Sequence, residues 1–245
     1  MNIISDPMKN TVLFVMLLCG ICSNSLYAQV LTDWEVYGLK GKVKQTIEIT
    51  ISEVYHDKKK FVTHYDEYGF VENVSTYSLV GKDDEEIYLG KIVYEKYVGN
   101  QRKAFTFNEK ERKVEGISYG WTVNDATKLY TAKFGDLVTE AKPTTVISVF
   151  NAKNQKESEK LLTPGRNWGC SDAAVTIEKL FEYDEKGYNI GYEQIKKVEQ
   201  ENYLDEKKSF KLMNETFDEM GNVTKQQIML NGKLFSTIVY VYSYY

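Results

Sequence analysis

The chain has 245 residues, 31 Lys+Arg against 35 Asp+Glu for a net charge of −4, 42% hydrophobic content, 19 Tyr, 16 Gly, 3 Pro and 3 Cys. That balance excludes a disordered tail, a collagen-like fibre, a disulfide-stapled miniprotein and a strongly basic nucleic-acid binder. A folded domain with an unusual load of tyrosine remains, and its mild acidity speaks against nucleic acid and anionic membrane as partners.

The first segment reads as an address. Met8-Lys9-Asn10 precedes an apolar run from Val12 to Ile21, then Ser23-Asn24-Ser25 and Leu26-Tyr27-Ala28. A basic start, a short apolar middle and a small residue before Gln29 predict a secretory signal over residues 1–28, cleaved after Ala28, and one domain over 29–245. Residues 1–7 carry Asp6 and no base, so a start at Met8 is the alternative. The apolar run is about half of the ~20 residues a spanning helix needs, and no transmembrane helix is expected in the mature chain. Cys22 offers a rival reading as a lipid-modified first residue, which the bulky Ile21 disfavours. Cleavage leaves Cys170 as the remaining thiol, so no intrachain disulfide is expected.

Strand alternation starts at residue 43. Val43, Ile47, Ile49, Ile51 and Tyr55 fall on one face and Lys44, Thr46, Glu48, Thr50 and Ser52 on the other, which predicts a dry and a wet side. Ile117, Tyr119, Trp121 and Val123 alternate likewise with Ser118, Gly120, Thr122 and Asn124. The last stretch, Leu234 to Tyr245, carries apolar groups on both faces. Residues 192–204 and 173–181 have weak helical spacing, but strand is the stronger reading for both, and the count comes to about a dozen strands.

A recurring punctuation separates these runs: Tyr65-Asp66-Glu67-Tyr68-Gly69, Tyr183-Asp184-Glu185-Lys186-Gly187 and Phe217-Asp218-Glu219-Met220-Gly221, with weaker copies at Phe107-Asn108 and Phe150-Asn151. In the weak copies the glycine position is occupied by Glu111 and by Asn154 or its neighbour. Copies start at 66, 108, 151, 184 and 218, giving steps of 42, 43, 33 and 34, the mark of a tandem array. Asp accepts bonds from amides just ahead of it and Gly supplies the positive φ that closes a hairpin, so Asp66/Gly69, Asp184/Gly187 and Asp218/Gly221 are predicted structural turns. Asn231-Gly232 is a second hairpin signal.

The stretches THYDEYGFVENV, FEYDEKGYNIGY and ETFDEMGNVTKQ resemble YD repeats, the hairpin units of RHS-type secreted and surface proteins of Gram-negative bacteria. They lack the Arg-Tyr pair that precedes the Asp in toxin shells, and the chain is too short to wind a closed shell. The resemblance implies a small envelope protein of tandem antiparallel hairpins and carries little chemistry.

Few residues offer chemistry. His56 and His64 flank an expected turn at Asp57–Lys60, where a hairpin could bring them together as two metal ligands, but they lack the further ligands a zinc site wants. The longest break in periodicity, 163–172, holds Arg166 and Trp168, which could grip an anionic or sugar-like ligand, and Cys170, a thiol without a nearby base. A capped connection is the plainer reading of that loop. Gly81–Glu86 gathers four acids without the alternation of a calcium loop, and the sequons at Asn73, Asn214 and Asn222 carry no weight in a bacterium. Tyr240, Tyr242, Tyr244 and Tyr245 form an aromatic ladder that either stabilises a sheet or stacks on a partner; the same ending also resembles the last strand of an outer-membrane barrel.

These readings converge on an all-β, exported, non-enzymatic binding or scaffold module, a twisted sheet, open barrel or two-layer arrangement in the periplasm or at the cell surface, with no cofactor. Its partner is an envelope protein, a glycan or an apolar ligand. The alternative is a half-barrel carrier of lipid with a concave face lined by Ile47 and Ile49 and no plug, and the third reading is an enzyme built on the 163–172 loop.

Overall fold

The computed structural model describes residues 30–123, 128–134, 143–165, 173–200 and 203–245. The signal-like segment and the 166–172 stretch, with Arg166, Trp168 and Cys170, lie outside them. The described residues form one short helix, α1 (Asp33–Val36), and fourteen strands: β1 (Val43–Ser52), β2 (Asp57–Tyr65), β3 (Val71–Val80), β4 (Glu85–Tyr94), β5 (Gln101–Asn108), β6 (Lys113–Val123), β7 (Lys128–Phe134), β8 (Thr144–Phe150), β9 (Lys156–Thr163), β10 (Val175–Tyr183), β11 (Asn189–Val198), β12 (Glu206–Phe217), β13 (Val223–Leu230) and β14 (Lys233–Tyr244).

Each strand pairs antiparallel with the next, and β14 returns to β1 with pairs from Val43↔Tyr244 to Ser52↔Ser236, closing a barrel. The all-β expectation stands; open-barrel and two-layer arrangements give way to closure. Pairing the two terminal strands over their full length satisfies backbone groups that an open sheet would leave on its edges. The segments with weak helical spacing are strands β10 and β11.

The acidic corners are hairpin turns, all of one construction. In the first, Gly69 N–H donates to Asp66 O at 3.1 Å, Asp66 N–H to Phe70 O at 2.8 Å, and Asp66 Oδ1 accepts from the amides of Tyr68 and Phe70. Asp184 and Asp218 repeat the closure, as do Asn108 and Asn151. The fourth position holds positive φ throughout: Gly69, Gly187 and Gly221 near +90°, Glu111 at 56° and Asn154 at 60°. Glycine suits it because a Cβ there clashes with its own backbone.

Strand direction sorts these turns. Those at Asp66, Asn151, Asp184 and Asp218 sit on one rim with α1, whereas the Asn108 turn is on the other. The unequal steps follow: 33 and 34 residues span one hairpin, while 42 and 43 each include a change of rim. Asn231 and Gly232, both at positive φ, close the tight β13–β14 hairpin on the far rim.

The dry and wet faces of β1 are reversed from expectation. Thr46 and Glu48 point into the barrel, and Ile47, Ile49 and Ile51 form part of its outer wall, in register with Val62 on β2 and with Val239 and Val241 on β14. Alternation defines two faces but not which one is concave. Val43 escapes this reversal: a bulge separates it from Gln45, and it is fully buried. On β6 the expected side does face inward, with Ile117, Tyr119 and Trp121 buried.

Inside, the packed mass lies against β3–β8. Ala104, Ile117, Tyr119 and Ala132 form one cluster, Leu31, Trp121 and Phe150 a second, and Val43, Tyr65 and Val71 a third.

Candidate functional site

The segment before β1 plugs one mouth of the barrel. Thr32 and Glu35 form a capping box, with Glu35 N–H donating to Thr32 Oγ1 at 3.2 Å and Thr32 N–H to Glu35 Oε2 at 2.8 Å, which holds a single helical turn. Leu31 inserts between Trp121 and Phe150. Asp33 reaches Arg102 Nη2 at 2.9 Å and accepts the Val71 amide at 2.7 Å, and the Arg102 guanidinium lies 4.7 Å from the ring centres of both Tyr94 and Tyr97. Burial pushes the Asp33 carboxyl up and the guanidinium pulls it back.

The acidic-corner turns form the collar around this plug. Trp34 packs over Gly69, where a Cβ would meet the indole at 2.5 Å, and its Nε1 donates to Val43 O. Asn222, just after the Gly221 turn, exchanges two hydrogen bonds with the Lys40 backbone at 2.6 and 2.9 Å. Tyr188, just after Gly187, accepts from Lys40 Nζ at 2.7 Å and donates to Gly221 O at 2.9 Å. Gly69 and the residues that follow Gly187 and Gly221 thus also seat the N-terminal segment.

Beneath the plug a cavity of about 930 Å³ remains. Its wall runs across the barrel closure, from β9 through β14 and on through β1 and β2 to Val74 of β3 and Ile92 and Tyr94 of β4. Phe181, Tyr183, Tyr240, Tyr242 and Phe61 supply rings, and Asn214, Gln226, Thr63 and Glu48 supply polar groups. Gln226 Nε2 donates to Asn214 Oδ1 at 2.6 Å and Tyr242 Oη to Val223 O at 2.8 Å. Tyr37 hangs from the plug into this space and is 61% exposed although the wall surrounds it, so its accessible surface faces the lumen.

Among the strand residues lining the cavity Glu48 is the carboxylate without a cation, whereas the inward Glu159 on β9 is paired with Lys156 and Lys179. In register Glu48 stands between Phe61 on β2 and Tyr240 on β14. Thr50 Oγ1 donates to its Oε1 at 3.0 Å, and no cation of the described residues pairs with it. Burial pushes its carboxyl above the usual carboxylate range.

The outer wall mixes apolar and charged side chains, with Ile47, Val62, Ile195, Val239 and Val241 facing the same way as the charges. Lys60, Lys91, Lys160, Glu178, Glu193 and Lys211 occupy outward positions well within their strands, and Lys60–Glu86 and Lys207–Glu193 pair along the surface at 2.6 and 2.9 Å. A lysine at a bilayer midplane costs roughly 2–4 kcal/mol, so each of these charges counts against lipid at its own position. Within the C-terminal ladder, Tyr240 and Tyr242 point into the lumen. No described helix is long and apolar enough to cross a membrane.

Other candidates stay apart. His64 is held by Gln45 Nε2 at 2.8 Å and Asn73 Oδ1 at 3.1 Å on the outer wall, while His56 sits exposed in the β1–β2 turn. Asp84 and Glu86 of the acidic tip pair with Lys58 and Lys60. Among the described residues no three His, Cys, Asp or Glu side chains gather as a metal site. The plug was missed in the sequence although Thr32-Asp33-Trp34-Glu35 carries the capping-box pattern; Glu48 was assigned to the wrong side of β1.

No family model matches the chain, and no curated protein matches it. One solved structure similar to it, described as a porin-like protein from Bacteroides uniformis, has a TM-score of 0.39 and 13% identity over 83% of this chain and 99% of that one.

Proposed function

We propose that this chain is an exported, non-enzymatic binding module of the bacterial envelope that works in water and holds a small ligand inside the barrel. The signal-like start and the YD-repeat resemblance support the address. The observation that carries the binding reading is the cavity: about 930 Å³, within the range of small-molecule sites, lined by several rings and a few spaced polar groups. Such a lining suits a compact ligand with a flat or ring-shaped body and a polar end. Stacking supplies contact area and the amides fix orientation.

The lipid-carrier alternative fits less well. Ile47 and Ile49 line the outside, a plug occupies one mouth, and a wholly apolar cargo would strip water from Glu48, Asn214 and Gln226 without replacing their hydrogen bonds. Native mass spectrometry of protein purified from the exporting cell tests both. A retained adduct smaller than a phospholipid supports the proposal, a phospholipid supports the carrier, and a bare mass together with failure to bind a polarity-sensitive naphthalene dye contradicts both.

A further inference from the structure

We infer that the ligand class is an organic ammonium, with Glu48 as its counter-ion; this rests on the luminal binding reading above. A carboxylate enclosed by a barrel wall loses hydration that one threonine hydroxyl does not replace, and a cation is the partner that restores most of it. The neighbours of Glu48 point the same way. Phe61 and Tyr240 flank it in register, and Tyr242 stacks beside Tyr240 at 6.1 Å between ring centres. Ring faces attract a positive charge and gain nothing from an anion. Thr46, two residues back on the same face, is buried and its Oγ1 makes no hydrogen bond of good geometry, although it faces Tyr65.

Nearby protein cations are otherwise engaged or distant. Lys59, the luminal lysine of β2, stands opposite Thr50 and turns to Asp57 at 3.4 Å. Across the cavity Lys156 is held by Glu159 at 2.8 Å, and Lys153 and Lys186 lie on the plugged rim. Glu35, on the plug, is committed to Thr32. From β14 the groups facing Glu48 are the phenols of Tyr240 and Tyr242, neutral at physiological pH because burial pushes both up.

The test uses three probes of one shape on the purified protein: 4-phenylbutylamine, 4-phenylbutanol and 4-phenylbutyrate, titrated by calorimetry beside the naphthalene dye. The expected order is amine, alcohol, carboxylate. Glu48→Gln weakens the amine by roughly tenfold or more, the size of one charge-assisted hydrogen bond, and leaves the alcohol and the dye within about twofold. Tyr240→Leu weakens the amine about threefold as the ring face is lost. Amine affinity falls on acidification as Glu48 takes up its proton, above the pH at which an ordinary carboxylate would. If the dye enters but the amine binds no better than the alcohol, or Glu48→Gln leaves the order unchanged, the ammonium assignment is wrong while the binding module stands. If neither the dye nor any probe enters, both fall.

Discussion

Two sectors of one barrel use the same strand alternation to opposite ends. Around β4–β8 the inward positions are Tyr94, Ala104, Tyr119, Trp121, Ala132 and Phe150, and the small residues let the large rings and the plug interlock: Trp121 lies 4.5 Å from Tyr130 and 5.5 Å from Phe150 between ring centres. From β9 across the closure to β2 the inward positions include Lys156, Phe181, Asn214, Gln226, Tyr240, Glu48 and Phe61, and the N-terminal segment reaches this side only at its end, through Val36, Tyr37 and Leu39. The first sector stabilises the fold; the second keeps a space.

The largest effect belongs to the packed sector. Trp121→Ala removes the ring that joins Leu31, Phe150 and Tyr130 and its bond to Tyr97 Oη, and should cost about 3–5 kcal/mol in denaturant unfolding. Arg102→Ala strands a buried Asp33 and should cost about 3 kcal/mol or more, whereas Asp33→Leu combined with Arg102→Met recovers most of it. A single loss equal to that of the double variant would show that the pair does not hold the plug.

The rim gives a finer comparison. Gly69→Ala adds backbone strain and drives a Cβ into the Trp34 indole, while Gly187→Ala meets only the movable Gln155 side chain at 3.2 Å. The first should lose roughly 2–3 kcal/mol and the second about 1 kcal/mol, the scale of a non-glycine residue at positive φ. Equal losses would mean that Gly69 serves the turn alone and not the plug.

The smallest effect is of opposite sign. Glu48 has a folded value raised above that of the unfolded chain, so its stability contribution is present at low pH and is lost as pH rises through the raised range. Glu48→Gln should therefore raise the melting temperature slightly at neutral pH and leave it unchanged well below the ordinary carboxylate range. A lower melting temperature at neutral pH would mean that the carboxylate has a partner in the fold.

What the sequence revealed depends on how local each feature is. The acidic corners were legible because a hairpin needs an amide acceptor at one position and positive φ three residues later, and even Glu111 and Asn154 obey this. Closure was not, because it depends on Val43–Ser52 meeting Ser236–Tyr244 across nearly the whole chain. The sidedness of β1 was misread for the same reason: Ile47 and Ile49 look like core until their outer-wall neighbours Val62, Val239 and Val241 are known. The plug was local and readable, since the Thr32–Glu35 box announces a helical turn. The cavity was not, because it is defined by rings from strands as far apart in sequence as β2 and β14.

On the reading proposed above, the sector facing Glu48 encloses a binding space reached by its luminal side chains and not by its outward ones. Gln226 and Gln227 are adjacent on β13 and point to opposite sides, Gln226 into the lumen and Gln227 outward. Titrating the naphthalene dye into Gln226→Trp and Gln227→Trp measures the two sides directly. The expected result is one saturable site that Gln226→Trp abolishes and Gln227→Trp leaves intact; equal binding to both variants, or loss through Gln227→Trp alone, would contradict a luminal site.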